Sequence, residues 1–424
     1  MSPSKTTTGM PREQLLHHVS GSVDAHRAVL SEINTKIHQN PELRYQEYQA
    51  HDNICDLLES LDYTVVRHAH GLETSFQVES GSGGRLVVFN AEYDALPGIG
   101  HACGHNLIAT SSIAAFIATA ETMEKGNLPG RVRLLGTPAE ESGGGKIKLI
   151  QAGAYDGVDA CLMGHPGPSS RRTPGAKTKF DGASATRSLA RKQVRVTFKG
   201  ENAHAGFEPW AGRNALDAVV ASYVNISLLR QQIPPSARIH GVVRQGGAEP
   251  NIIPDSASLE YFVRDTSADS VQNLAARIEK CFRAGALATD CSVECVWNDE
   301  ADYKDLRPNM TIAEIFTEHM TSLGKTYLYD ARALGAGAST DMGNVCYEVP
   351  GFHCGFGVGD DVQDASPHNP NFAAAAGTVS AFENALACAQ GMAMTACDIL
   401  IDDGHAERMR TEFLEEFGRA DTKI

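Results

Sequence analysis

One short stretch concentrates ligand chemistry. In "EYDALPGIGHACGHNLIAT" (residues 92–110) an Asp, two His and a Cys lie among glycines. Cys103 and His105 are both good donors for zinc-like ions. In an extended strand, residues two apart point to opposite faces, but a tight turn at Gly104 lets the two converge on one ion. A flexible loop with an incidental Cys and His fits the spacing equally well. A second stretch, "LLGTPAEESGGGK", carries Glu140 and Glu141 side by side after an apolar run. Adjacent carboxylates repel unless a cation or a proton separates them. One can bind a metal while the other holds a proton near a reacting water, although a lone Glu pair is more often a solvated loop. In "DACLMGHPGP" His165 ends an apolar run, as a ligand or as a capped core histidine. In "SPHNPNF" His368 sits in a turn, where a single His is usually just solvated.

The elements around these residues decide between the readings. "YTVVRH", "RLVVFNAEY", "RVRLLGTPA" and "VDACLMGH" read as strands, and "NLIATSSIAAFIATAETM" and "GKIKLIQAG" as helices between them. Apolar strands alternating with helices predict an α/β fold, a mostly parallel sheet covered on both faces. Three of the motifs then fall at successive strand ends, where function gathers in such sheets. Cys103, His105, Glu141, His165 and His368 together offer ligands for two metal ions, with Glu140 left over as a base. Upstream, helical spacing is predicted over residues 25–39 and 48–61, after a disordered tail over the first 12. The polar, basic segment 169–190 reads as a long loop or linker. After it "KQVRVTFKG", "RNALDAVVASYVNISLLRQQ", "ARIHGVVRQGG", "SASLEYFVRD", "SADSVQNLAARIEKCFRAGALAT" and "CSVECVWN" give the order β-α-β-β-α-β, a ferredoxin-like α+β unit. The chain then returns to helix in "TIAEIFTEHMTSLG", to Gly-rich loops, and to one long helix from Phe372 onward. The expected division is a first part of the catalytic domain over 1–190, an inserted domain over 191–307, and a second part over 308–424.

The chain of 424 residues is long enough for two domains with a sizeable core. A net charge of −15 argues against a nucleic-acid or anionic-membrane partner. No apolar run reads as membrane-spanning, and the polar N-terminus has no signal-like apolar stretch. Ten scattered Cys without paired spacing read as reduced thiols of a cytoplasmic protein, and Cys161, Cys388 and Cys397 sit in apolar contexts as small core residues.

"HACGHN", "GTPAEESGGGK", "GHPGP", "AHAGFEPWAGRNALDA", "GGAEPNIIPDSASLEYFVRD" and "STDMGN", in this order, resemble the M20 metallopeptidases, in the amidohydrolase branch that uses Cys in its first metal motif. Within it, "EYDALPGIGHACGHNLIA" and "GRNALDA" with "PNIIP" resemble the M20 domain-containing protein 2 group of dipeptidases and, less closely, the aminobenzoyl-glutamate hydrolases. The similarity runs from about His38 to about Asp398. It implies a zinc-peptidase-like catalytic domain and a two-metal hydrolase cleaving the amide of dipeptides or N-acyl amino acids, by a metal-bridged water with Glu140 as general base. Cys103 (the bridging thiolate), His105, Glu141, His165 and His368 match the metal ligands, and Asp94 the carboxylate that orients one of them. The implied cofactors are two divalent ions, Zn²⁺ foremost, with Mn²⁺ or Co²⁺ as alternatives. The inserted domain matches a lid and dimerisation domain of a homodimer. His204 matches a histidine that reaches the partner's site and stabilises the oxyanion. Asn251 and Arg264 match groups that contact the substrate's carboxylate or backbone, for which a guanidinium fork is suited; a strand-face salt bridge is the plainer role for Arg264. The chain departs from the branch at Asn106, where many relatives have Asp, at the longer and more basic 169–190 segment, and over 351–365.

Two rivals stand beside a dipeptidase. One is an N-acyl or aminobenzoyl-glutamate-type amidohydrolase dedicated to one pathway substrate. The other is a metal-binding dimeric pseudoenzyme scaffold, against which the intact Glu140–Glu141 pair speaks.

Overall fold

The computed structural model describes residues 10–168, 179–334 and 337–418. The chain divides into two compact units, one of residues 1–187, 306–336 and 341–424, the other of 188–305 and 337–340.

The larger unit carries strands β1 (Val65–Arg67), β2 (Phe76–Ser82), β3 (Leu86–Ala91), β4 (Gly130–Gly136), β5 (Ala160–Gly167) and β6 (Gly182–Ala185). The smaller carries β7 (Ala190–Lys199), β8 (Ala203–His204), β9 (Arg238–Gln245), β10 (Ile252–Ile253), β11 (Ser256–Asp265) and β12 (Ser292–Trp297). The larger unit resumes with β13 (Tyr327–Asp330) and β14 (Gly351–Gly357).

Its sheet runs β1-β2-β4-β3-β5-β14-β6-β13. The middle pairs β4–β3, β3–β5 and β5–β14 are parallel, as is β6–β13. β1–β2, β2–β4 and β14–β6 are antiparallel. The sheet is therefore mostly parallel with antiparallel seams toward its margins. Every residue of β3 is buried. Val87 and Phe89 enter one apolar cluster and Leu86 and Val88 another, so the strand is covered on both faces. One cover is the helix His105–Gly126 with Val379–Ile401. The latter is long and apolar enough to cross a membrane by length and composition, contrary to the sequence expectation; most of it is buried as a core helix.

The structure departs from the sequence expectations elsewhere too. Residues 1–9 of the expected tail lie outside the described residues, and a helix begins at Arg12. β2, "FQVESGS", is masked in the sequence by its polar and glycine residues. Of the expected 169–190 loop, residues 169–178 lie outside the described residues, and Gly182–Ala185 is strand β6 in the central sheet. The helical C-terminus is three helices, Pro370–Ala376, Val379–Ile401 and Asp403–Phe417. Thr378 and Asp402 restart it, each accepting a backbone N–H as an N-cap.

The smaller unit is an antiparallel sheet β12-β7-β11-β9, the ferredoxin-like order, with helices Ala215–Leu229 and Ala268–Ala288. Val194, Val196, Phe198, Leu259, Tyr261 and Phe282 share its core. The helix Ala215–Leu229 also leaves Val220, Tyr223, Val224 and Leu228 exposed, and β9 is an open edge bearing exposed Val242 and Val243.

Candidate metal centre

The carboxyl ends of β3, β4 and β5 bring the chemical residues of the larger unit together. Asp94 follows β3, Glu140 and Glu141 follow β4, and His165 lies within β5. Gly104 caps the helix that begins at His105. It has φ of +77°, and a Cβ there would stand 2.6 Å from Pro166 Cγ, so the Cys103–His105 turn requires glycine. Gly145 is equally constrained: a Cβ would stand 1.7 Å from the Pro138 carbonyl oxygen, across the turn that presents the Glu pair. Ala139, Ser142 and His368 hold positive φ without being glycine, backbone strain of the kind that collects at working sites.

Asp94 organises the cluster. Its carboxylate accepts the Glu140 N–H at 3.2 Å, the Glu141 N–H at 2.9 Å and the His105 Nδ1–H at 3.0 Å. That fixes the ring and turns Nε2 inward. Burial works against a charge on His105, but Asp94 outweighs it and raises the imidazole well above its usual range. His165 is fixed in a similar way, donating Nδ1–H to the Pro166 carbonyl at 2.7 Å with Nε2 toward Cys103 Sγ at 3.6 Å. Burial lowers its pKa and favours the neutral, ligating form. His368 Nε2 lies 3.4 Å from Glu141 Oε1.

A pair of ions fits these donors. The ligating atoms of Cys103, His105 and His165 lie within 4.8 Å of one another, and so do those of Cys103, Glu141 and His368, with Cys103 common to both groups. His105 Nε2 is buried without a hydrogen bond, which a coordinate bond would satisfy. Burial, then Glu141, pushes the Cys103 thiol up, and a bound divalent ion is what reverses that by stabilising thiolate. Glu140 is also buried; burial, then Glu92 and Glu141, raises its carboxyl well above the ordinary range.

Four residues without a role in the sequence analysis belong to the same cluster. Glu92 and Asp341 are fully buried and grip the equally buried Lys146. Glu47 accepts the Ala139 N–H at 2.9 Å and so braces the Glu140 turn. Two of them carry a sequence signal: "NAEYD" puts two carboxylates at a buried strand end, and "GGGK" puts a Lys at a helix start beside the Glu pair.

His204, Asn251 and Arg264 lie in the smaller unit. His204 is exposed on β8, which pairs with β10. Its Nδ1 accepts the Gly206 and Phe207 N–H groups, both at 3.1 Å, so in the neutral ring Nε2 carries the proton and is a donor. Asn251 is exposed beside it, its carbonyl accepting the Ala205 N–H. Arg264 donates to Ser339 Oγ at 3.1 Å.

The model of peptidase family M20/M25/M40 matches residues 88–395. The Xaa-Arg dipeptidase of Mus musculus is 38% identical over 96% of this chain and 94% of its own length. A p-aminobenzoyl-glutamate hydrolase polypeptide of Escherichia coli is 32% identical over 74% of this chain and 66% of its own. The fold is similar to a solved Bacillus subtilis dinuclear metal binding peptidase of the M20 family, with a TM-score of 0.64, 21% identity and coverage of 89% of this chain and 99% of that one. With the family matched over most of the chain and the fold shared, the chain belongs to peptidase family M20/M25/M40 and is a metal-dependent amide hydrolase.

Proposed function

We propose that the protein hydrolyses dipeptides whose C-terminal residue is basic, with Glu140 as general base beside two divalent ions. The observation that carries this is the convergence of Cys103, His105, Glu141, His165 and His368 into two donor groups sharing Cys103, with Glu140 buried next to them. Thiolate and imidazole donors favour Zn²⁺, with Mn²⁺ or Co²⁺ as alternatives. When bound, the ions supply Lewis acidity and bring a water's pKa toward neutrality. Glu140 takes that water's proton as the amide carbonyl is attacked and passes it to the leaving amine. Asp94 keeps His105 and the Glu turn in register through the three hydrogen bonds it accepts. His204 donates Nε2–H to the oxyanion in the partner subunit's site, and Asn251 and Arg264 hold the substrate's carboxylate or backbone.

The basic C-terminal residue is taken from the Xaa-Arg dipeptidase relatives and agrees with the acidic chain. The p-aminobenzoyl-glutamate hydrolase relative supports the second reading, an amidohydrolase of N-acyl amino acids. The exposed apolar face of Ala215–Leu229 and the open edge β9 support a homodimer built on the smaller unit. Free cysteines throughout the chain support a reducing, cytoplasmic setting.

Mass-spectrometric turnover of a mixed set tests the substrate: dipeptides ending in basic, acidic and apolar residues, with acyl- and aroyl-amino acids. Preferred cleavage before Arg or Lys is expected. Cleavage of aroyl-glutamates alone moves the assignment to the second reading, and no cleavage by metal-loaded protein moves it to a narrow pathway substrate or the scaffold. A second expectation concerns sharing. His204→Ala and Glu140→Gln proteins, each nearly inactive, regain part of the wild-type activity when mixed and allowed to exchange subunits. Verified mixed dimers that stay inactive place His204 outside the partner's site.

A further inference from the structure

Lys146 is a buried ammonium held by two buried carboxylates, all three side chains without exposure to solvent. Its Nζ lies 2.5 Å from Glu92 Oε1 and 2.6 Å from Asp341 Oδ1, and its own N–H donates to Asp341 Oδ2 at 2.9 Å. A buried lysine needs such pairing to stay charged. Glu92 uses only one of its oxygens on it. The other, Oε2, makes no hydrogen bond and faces His105 Nε2, also without one, at 3.6 Å. Asp94 accepts the His105 Nδ1–H, so Nε2 is the ring nitrogen turned toward Glu92 and open to a cation, a proton in the ion-free protein or a metal ion in the loaded one. The ligating atoms of Glu92, His105 and Glu140 lie within 4.8 Å of one another, and all three residues are buried. Buried polar atoms without hydrogen bonds, this close to one another, are satisfied when a cation is shared between them.

We propose that Glu92 is a further carboxylate of the metal centre, on the His105 side, and that Lys146, fixed by Asp341, is the positioning residue that aims it. Lys146 fixes one oxygen of Glu92 and leaves the other to the ion. The same ammonium offsets part of the negative charge that Glu92 and Asp341 bring beneath Glu140. The inference rests on the two-ion reading of the site.

The test reads metal affinity rather than turnover. Apoprotein is titrated with Zn²⁺ against a chromogenic chelator, and with Co²⁺ while its visible spectrum is recorded, for wild type, Glu92→Gln, Lys146→Met and the double variant. Glu92→Gln is nearly isosteric and leaves Lys146 its pair with Asp341. The double variant removes both charges together and serves if Lys146→Met alone fails to fold. Glu92→Gln is expected to weaken one of the two ions about 10- to 100-fold, leave the other unchanged and alter the cobalt spectrum. Lys146→Met acts in the same direction, and adds little in the Glu92→Gln background because it works through that carboxylate. Wild-type affinity for both ions and an unchanged spectrum in Glu92→Gln, with only a lowered apoprotein Tm, overturns the proposal and leaves a purely structural salt bridge. Wild-type protein that binds no ion overturns the two-ion reading itself, so the two failures are separable.

Discussion

Replacing Glu140 by glutamine is expected to lower kcat by about 10²–10⁴-fold, the usual worth of a positioned general base, with little change in KM. The substitution keeps the size of the side chain and the Glu140 N–H bond to Asp94, so the turn and the neighbouring Glu141 stay in place. What is lost is the ability to accept and return a proton. Burial, with Glu92 and Glu141 beside it, raises this carboxyl and so strengthens its hold on a proton relative to a solvated Glu. Stopped-flow or steady-state turnover, with bound metal measured on the same sample, checks the result. Near-normal kcat with full metal content assigns the base elsewhere.

Removing the divalent ions is expected to abolish turnover and to destabilise the larger unit, by an amount that depends on pH. Without ions, burial raises the Asp341 carboxyl, with Glu92 adding to it against Lys146, and Glu140 is raised as well. A carboxyl raised in the folded state contributes stability that is fully present below its ordinary pKa and is lost as pH climbs through the raised value. Asp94 has the opposite sign. Burial works against its charge, but His105 and the Glu141 N–H outweigh it, so its contribution is present above the ordinary range and lost only on acidification. The ion-free protein should therefore melt at progressively lower temperature as pH rises above the ordinary carboxylate range. Ion binding, which requires deprotonated ligands, strengthens over the same interval. The gap in Tm between loaded and ion-free protein should widen from about pH 5 to about pH 8. Calorimetry across that range checks this, and a constant or narrowing gap contradicts it.

Much of the fold is legible in the sequence because the relevant signals are local. "LVVFNA" is apolar at every position but one and cannot be half-exposed, which marks a strand covered on both faces. The β-α-β-β-α-β order of the smaller unit follows from period-two and helical patterns in sequence, and the structure has that order. β13 and β14 lie where Gly-rich loops are expected, and β2 and β6 are not legible either. These last two are short in apolar residues, and their places in the sheet come from pairing with β4, β13 and β14 rather than from their own composition. The Val379–Ile401 helix is a further case: its hydropathy is that of a membrane span, and only its packing against His105–Gly126 shows it as core.

The site divides in the same way. Cys103, His105, Glu140, Glu141, His165 and His368 stand out because each sits close to glycine or proline, three of them (Glu140, Glu141 and His165) after an apolar run. The Glu92–Lys146–Asp341 network is hinted at by "NAEYD" and "GGGK" only residue by residue; its pairing is not, because Lys146 lies 54 residues from one carboxylate and 195 from the other along the chain. In "GKIKLIQ" Lys146 looks like one of two solvent-facing lysines, yet it is fully buried. That such charges are buried and paired shows only when the partners are in place. His204, Asn251 and Arg264 are singled out by resemblance alone, since an exposed His, an exposed Asn and a strand Arg carry no local signature.

Amide hydrolysis here is taken to depend on two ions held by Cys103, His105, Glu141, His165 and His368. Titrating ion-free protein with Zn²⁺ or Mn²⁺, with bound metal and dipeptide turnover measured on the same samples, tests it most directly. Two ions per chain are expected, with turnover tracking their loading and a Glu141→Gln protein failing to take up its full complement. Full turnover in protein carrying no ion, or unchanged loading and turnover in that variant, would contradict it.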